Sequence, residues 1–474
     1  MLFEFNAVDL FDVKELLFEF NAVDLGFSGN KFTWAKGNWG SAPIKRRLDR
    51  GVTSISWRLA YPNAAISHLG AIKSDHSPIL LDTNPKDSFT YRPFRFEATW
   101  LRDESCHSVI EIVWNIQASR SKFIKLYKRQ ASTRDALRTW NEQVFSRCQD
   151  RINLLPSKIK HIQEKPPSQD NELTEKSLQA KLSKWLLKSE VIWCQKSREL
   201  WLKLQDKNSK FFHLSTIIRR RGNHVNTIKK DDDSRIHDSS QIRELFRNNF
   251  MDLFKEEDIC FPKHLEHLVL PSITKAENNS LLSIPPPEEI KATLFQMQDQ
   301  KAPGPDGFLA LFYKQLWLTV SDDVIKAVTS FFQRGIMPRE VNCSLIVLIP
   351  KVSNPTSVNH FRPISLCNIV YKIILKLLVA KLHPLLNRII SPTQSAFIPN
   401  RWIVENQIII QEIIHSFKTR KTNPGLMAIK LDLQRHTIES TGSSSNLFSY
   451  ILVLMKFSLA GLLPAYPLFC SRSL

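Results

Sequence analysis

Leu426-Met427-Ala428-Ile429-Lys430-Leu431-Asp432 reads as a buried strand that ends on a carboxylate. A carboxylate so placed is a candidate Mg²⁺ ligand. Taken alone, a strand-end Asp such as Asp432 is more often a turn residue. Its meaning depends on what lies upstream. Leu345 to Ile349 reads as another strand. A helix is expected after Pro285-Pro286-Pro287, with Glu288 and Glu289 favourable to its dipole. It stops at Lys301-Ala302-Pro303-Gly304-Pro305-Asp306-Gly307, where two prolines forbid a helix. A second helix is expected from Ser321 as N-cap, and others over Tyr371 to Leu382 and Ile403 to Phe417. Helices alternating with strands argue for an α/β or α+β unit.

Five stretches occur in order here: Lys301 to Gly307, Leu348-Ile349-Pro350-Lys351, Phe361-Arg362-Pro363-Ile364-Ser365-Leu366-Cys367-Asn368, Gln394-Ser395-Ala396-Phe397 with Arg401, and Lys430-Leu431-Asp432. The series resembles the reverse transcriptase of LINE-type, non-LTR retrotransposons, particularly those of plants. The resemblance implies fingers and a first palm strand, with Asp432 catalytic and a ligand of Mg²⁺. It also implies an RNA template and a DNA primer or target as partners. Lys351 and Arg362 would lie near the incoming nucleotide, where an Arg fork and a Lys point charge both suit phosphate. Gln394 and Arg401 would lie near template and nucleotide. Lys351 and Arg362 could each instead be an ordinary surface residue. Pro303 to Gly307 is expected to shape a loop rather than to perform chemistry.

The resemblance stops after Asp432. The family continues with a Lys-Ala-Tyr-Asp-Arg-Val-like run, whereas this chain reads Leu433-Gln434-Arg435-His436-Thr437-Ile438-Glu439-Ser440. The codons CAA AGG CAT ACG ATA GAG TC would encode Gln434 to Ser440. Regrouped as AAG GCA TAC GAT AGA GTC, they encode the family's run. A frameshift just after Asp432 is therefore expected, with 434–474 out of frame. That also accounts for the apolar stretch Leu447 to Cys470, which Lys456, Pro464 and Pro467 make a poor membrane span. Two-metal polymerisation needs a later Asp-Asp pair, and none follows Asp432, so the ligand set is incomplete and the polymerase is expected to be truncated and inactive. Asp322-Asp323 and Asp231-Asp232-Asp233 lie upstream, in what read as helix-start and loop contexts.

Residues 26–84 read as short strands and turns punctuated by Gly26, Gly29, Asn30, Gly37 and Gly40, with Ile79-Leu80-Leu81 as a buried strand. Phe27 to Trp34, Arg47-Leu48-Asp49-Arg50 and Ser74-Asp75-His76-Ser77-Pro78 resemble the last third of an endonuclease/exonuclease/phosphatase domain. LINE-type elements carry such a nuclease upstream of the polymerase. The resemblance makes His76 the catalytic histidine and Asp75 its acidic neighbour, with Thr33, Asp49 and Ser74 in support. Read by itself, Asp49 is an ion-pair partner for Arg47 or Arg50. The family's metal-binding Glu and Asp-x-Asn belong upstream of Gly26, where they are not found, so no nuclease activity is expected. Leu2 to Leu10 recurs unchanged as Leu17 to Leu25, which reads as a duplication rather than a structural repeat.

The charge lies between these blocks. The 474 residues carry a net +19, and residues 119–230 hold 26 basic and 10 acidic side chains. A basic segment of that size favours phosphate backbones, with solvated helix faces as the bland alternative. The region from about 100 to 260 reads as helical, with Trp185, Trp193 and Trp201 near one face as core. Arg219-Arg220-Arg221 before Gly222-Asn223 reads as a basic turn suited to phosphates. Trp193 to Arg198 and Asp206 to His213 resemble the helical connector of LINE polyproteins.

The seven cysteines form no Cys-x-x-Cys pair, which argues against a zinc knuckle and for a reducing compartment. No signal peptide is visible, and the resemblance implies a cytoplasmic or nuclear location. The expected class is α+β: a partial α/β-sandwich nuclease remnant over 1–84, a helical basic connector over 85–270, reverse-transcriptase fingers with an incomplete palm over 271–433, and a tail over 434–474. The functional alternatives are a reverse transcriptase by ancestry and a non-catalytic nucleic-acid-binding protein.

Overall fold

The computed structural model describes residues 17–419, except 18, 37–43, 72–73, 86–92, 116–120, 145–147, 167, 199–208, 226, 231–233, 255–272, 353, 391 and 393. The fold mixes helices with small sheets and is α+β in class.

The N-terminal part holds β1 (Ala22–Asp24), β2 (Ser28–Gly29), β3 (Trp34–Lys36), β4 (Ile44–Arg46), β5 (Val52–Ser54), α1 (Ile55–Ala60), β6 (Ala65–His68) and β7 (Ile79–Asp82). β1 pairs with β5 and β3 with β4, both antiparallel. β6 lies between β2 and β7. Glycine explains the short strands. Gly29 has φ +103°, and a Cβ there would stand 2.5 Å from the His68 carbonyl oxygen. The second copy of the duplicated segment supplies β1, so it is part of the fold. The reading of Ile79 to Leu81 as a buried strand is corrected. β7 is a sheet edge, and these residues are 40–54% exposed.

Next come α2 (Glu104–Trp114), α3 (Lys122–Val144), α4 (Cys148–Gln163), α5 (Gln169–Ser197), α6 (Ser209–Gly222), the hairpin β8 (Ile228–Lys229) with β9 (Arg235–Ile236), and α7 (Ser239–Leu253). α4 packs against α5. Arg219 to Arg221 form the last turn of α6, which corrects their reading as a turn. Arginine is a good helix former and its charge complements the C-terminal dipole, so the helix runs on to Gly222. Of the three tryptophans expected as core, Trp185 is only partly buried, packed beside the main core and under Arg151 and Lys188. Trp193 stacks on His213 with ring centroids 3.9 Å apart. Trp201 lies outside the described residues.

The last part holds α8 (Lys275–Leu282), α9 (Pro287–Phe295), α10 (Ala310–Gln315), α11 (Trp317–Arg334), the hairpin β10 (Ser344–Pro350) with β11 (Phe361–Cys367), α12 (Ile369–Ile389) and α13 (Ile403–Thr419). Ser321 lies inside α11 rather than at its start, because Val320, Asp323 and Val324 bury one continuous face. α12 extends past Leu382 and through Pro384, carrying Leu385 into the core. The main core crosses from the connector into this part. Phe96, Trp100, Trp114 and Leu126 pack with Ile290, Phe312, Tyr313, Val324 and Ile374.

Two polar devices lock that core. Asp323, 3% exposed, accepts from Trp114 Nε1 at 3.0 Å and pairs with Lys125 at 3.3 Å and with Arg129. Its reading as a helix-start or loop residue is therefore corrected. The 301–307 loop is the second. Gly307 has φ +79°, and a Cβ there would stand 2.3 Å from the Phe94 carbonyl oxygen. Its own carbonyl accepts from Phe96 N at 2.9 Å, while Asp306 N donates to Asn368 Oδ1 at 3.2 Å. The loop thus joins the connector to the start of α12.

Candidate functional site

The nuclease-like residues converge. Thr33 is buried, and its Oγ1 accepts from the backbone N–H of Leu48 and of Asp49, each at 3.0 Å. Those bonds fix the start of the loop that carries Asp49. Ser77 N donates to the Thr33 carbonyl at 2.6 Å and Ala35 N to the Asp75 carbonyl at 3.0 Å, so residues 75–77 lie along β3. Asp49 and His76 thereby meet, with His76 Nδ1 3.1 Å from Asp49 Oδ2. Ser74 Oγ accepts from His76 N at 3.1 Å. Asp75 turns elsewhere and accepts from Trp34 Nε1 at 2.9 Å. The carboxylate that orients His76 is therefore Asp49. With Nδ1 engaged, Nε2 is the ring nitrogen left for another partner. The His76 side chain is 47% exposed, so the pair opens to solvent.

Trp34 closes the nuclease-like stretch from Phe27 without a role assigned by the sequence, and the structure makes it the partner of Asp75. Nearby, His68 is buried and stacks on Phe27 at 4.3 Å, with Nδ1 2.7 Å from the Asn30 carbonyl. Burial holds its pKa below the ordinary value. No sequence signal separates such a packed histidine from a working one.

The polymerase-like residues form two local groups. Lys351 follows β10, and its N–H continues the ladder to the His360 carbonyl at 2.7 Å. Arg362 stands opposite Ile349 in the register. Two-residue alternation puts Lys351 and Arg362 on one hairpin face, away from buried Phe361. Both are exposed. Arg401 donates to the carbonyls of Gln394 at 2.8 Å and of Asn387 and Ile390 at 3.1 Å each, tying its loop to the end of α12. Gln394 Nε2 donates to the Ala396 carbonyl at 3.3 Å. Asp432 lies outside the described residues.

The arginine run divides its work. Arg219 donates to the carbonyls of Lys196 and Ser197 and so caps α5. Arg220 is exposed, and Arg221 lines a cavity beside α1. On the α4–α5 hairpin, Lys158, Lys160, Lys165, Lys176, Lys181 and Lys184 are all exposed. Among the described residues no group of three His, Cys, Asp or Glu side chains could hold a metal ion. No described helix is long and apolar enough to cross a membrane. Cys106, Cys148, Cys194, Cys343 and Cys367 are free thiols.

No protein-family model matches the chain. It is 28% identical over 234 residues to the transposon TX1 uncharacterized 149 kDa protein of Xenopus laevis. The chain is related to a transposon protein. The match covers 48% of this chain and 18% of that protein's length.

Proposed function

We propose that this chain descends from the reverse transcriptase polyprotein of a non-LTR retrotransposon of the kind found in plants, and that its own activity is to bind nucleic acid. Three things support the ancestry: the ordered stretches from Lys301 to Asp432, the relation to a transposon protein, and the exposed Lys351 and Arg362 on one face. The observation that carries the binding activity is the charge of residues 119–230, part of which stands exposed on the α4–α5 hairpin as Lys158, Lys165, Lys181 and Lys184. Lys176 and Lys160 pair with Glu172 and Glu164 at i,i+4 spacing, but exposed pairs of this kind hold their charges weakly. Such a surface binds phosphate backbones without reading sequence, so RNA and DNA are both ligands.

Leu433 to Ser440 depart from the run that the family places after its first metal-binding strand, so the strand ending at Asp432 does not continue as a polymerase palm would. Incubated with Mg²⁺, deoxynucleotides and a primed RNA template, the 474-residue chain is expected to leave the primer unextended. Extension that Asp432→Ala abolishes would refute this. Nuclease action has a parallel test. Supercoiled plasmid with Mg²⁺ is expected to stay intact, and nicking that His76→Ala removes would reveal a working nuclease.

A further inference from the structure

The sequence of β1 occurs twice in the chain. Leu2 to Leu10 and Leu17 to Leu25 are identical over nine residues, and the second copy supplies the strand. The first copy lies outside the described residues, so its likeness to the second is one of sequence.

The contacts that hold the second copy come from the repeated residues themselves. Ala22, Val23 and Asp24 pair with Ser54, Thr53 and Val52. Leu25 N donates to the Gly51 carbonyl at 2.9 Å, and Leu25 is 7% exposed. A Cβ on Gly51 would meet Ile66 and Leu25, so the glycine leaves the room that those two side chains fill. Arg47 at 3.3 Å and Arg50 at 3.1 Å both pair with Asp24, and they flank Asp49 in its loop. The chain enters the strand through Asn21 at φ +47°, a conformation that asparagine tolerates. The first copy carries Asn6, Ala7, Val8, Asp9 and Leu10 in the same order, so each of these groups has its equivalent. One contact falls outside the repeat. Asp24 Oδ1 accepts from Gly26 N at 2.8 Å, and Gly26 turns the chain at φ +69°. Phe11 stands at that place after the first copy, and a bulky side chain is strained in such a turn.

We propose that β5, with Arg47 and Arg50, is a docking site for the Asn-Ala-Val-Asp-Leu segment, and that Leu2 to Leu10 of the same chain exchanges with Leu17 to Leu25 at it. The second copy is the major occupant. Gly26 makes its turn without strain, and a docked first copy has to close residues 11–25 into a loop. Neither cost forbids the exchange, because loop closure grows only slowly with length. The same chain supplies the first copy because a short tether holds it near the site, at an effective concentration that a separate molecule does not reach. In both states a carboxylate meets Arg47 and Arg50, so the loop that carries Asp49 keeps its anchor.

The test uses the full chain. Hydrogen-bonded and non-hydrogen-bonded pairs alternate along an antiparallel ladder, and Leu25 N bonds to the Gly51 carbonyl. Val23 and Thr53 therefore form a hydrogen-bonded pair, close enough for a disulfide. Thr53→Cys is combined with Val8→Cys or, as the positive control, with Val23→Cys. Disulfides formed in a glutathione redox buffer are located by peptide mapping of the monomer. A second arm adds Val23→Pro to the Val8→Cys, Thr53→Cys chain, which takes the N–H from the pair and weakens the second copy. The expected result is a disulfide between positions 8 and 53 in a minority of chains, rising at least about threefold with Val23→Pro. Thermal unfolding gives an independent reading. Val8→Pro alone should leave the midpoint unchanged, Val23→Pro should lower it, and the two together should lower it further than their sum. Additive midpoints overturn the exchange. So does the absence of a disulfide between positions 8 and 53 in both arms when positions 23 and 53 do form one. A disulfide between positions 8 and 53 found only in dimers overturns the same-chain occupant.

Discussion

Asp323 and Asp49 are both carboxylates that draw distant segments together, and they end in opposite situations. Asp323 is sealed between α11, α2 and α3 and bound by Trp114, Lys125 and Arg129. Asp49 is half-exposed, and its partner His76 opens to water. The first cluster is part of the core and has no access to a substrate. The second sits on short strands at the surface, where a phosphate could reach it. Burial, more than residue type, separates a carboxylate that holds a fold from one that could serve a reaction.

That contrast is best broken from the buried side. Asp323→Ala leaves Lys125 and Arg129 facing an emptied site and Trp114 Nε1 without its acceptor. The expected loss is about 3 kcal/mol, at the low end for a buried pair because both cations keep some contact with water. Chemical denaturation would measure it, and a loss under about 1 kcal/mol would place Asp323 among ordinary surface ion pairs.

Asp306 sharpens the contrast through pH. Its Oδ2 is closed off from solvent without a hydrogen-bond partner, and burial pushes its carboxyl up to about 7, against the pull of the Phe308 N–H and Lys372. Tyr313 is raised beside it, by burial and then by the Asp306 charge. A carboxyl whose folded pKa lies above its unfolded value binds more protons when folded, so stability falls as pH rises. The loss begins near the ordinary value of 3.8 and is complete above about 7. Asp306→Asn keeps an acceptor for Phe308 N but cannot ionise. Compared with wild type, it should be more stable at pH 8 and lose that advantage by pH 4. Parallel stability curves for the two proteins would contradict this.

Smaller effects are expected in the N-terminal part. Thr33→Val removes the acceptor for two backbone N–H groups and should cost about 1–2 kcal/mol. His76→Ala touches an exposed side chain and should change stability by less than about 0.5 kcal/mol. Equal costs for the two would mean that His76 is a structural residue rather than a displayed one.

The sequence makes some of this legible for simple reasons. Leu345 to Ile349 is a short apolar run, and β10 covers it. Pro287 with Glu288 and Glu289 starts α9 as expected. The resemblance groups Thr33, Asp49 and His76, and the fold links Thr33 to the backbone of Asp49 and Asp49 to His76. Other features depend on partners far away in the chain. Nothing near Asp323 in sequence announces Trp114 or Arg129. Pro363 disguises β11, because a proline is tolerated there only in a two-stranded hairpin with a free edge.

The proposed binding of nucleic acid works through the exposed lysines of the α4–α5 hairpin and does not read sequence. The most direct measurement is the affinity for single-stranded RNA and DNA of unrelated sequences across a salt series. One steep, shared dependence of log affinity on log salt is expected, and it becomes shallower when Lys176, Lys181 and Lys184 are changed together to Gln. Affinity that is flat in salt, or unchanged by that triple substitution, would contradict it.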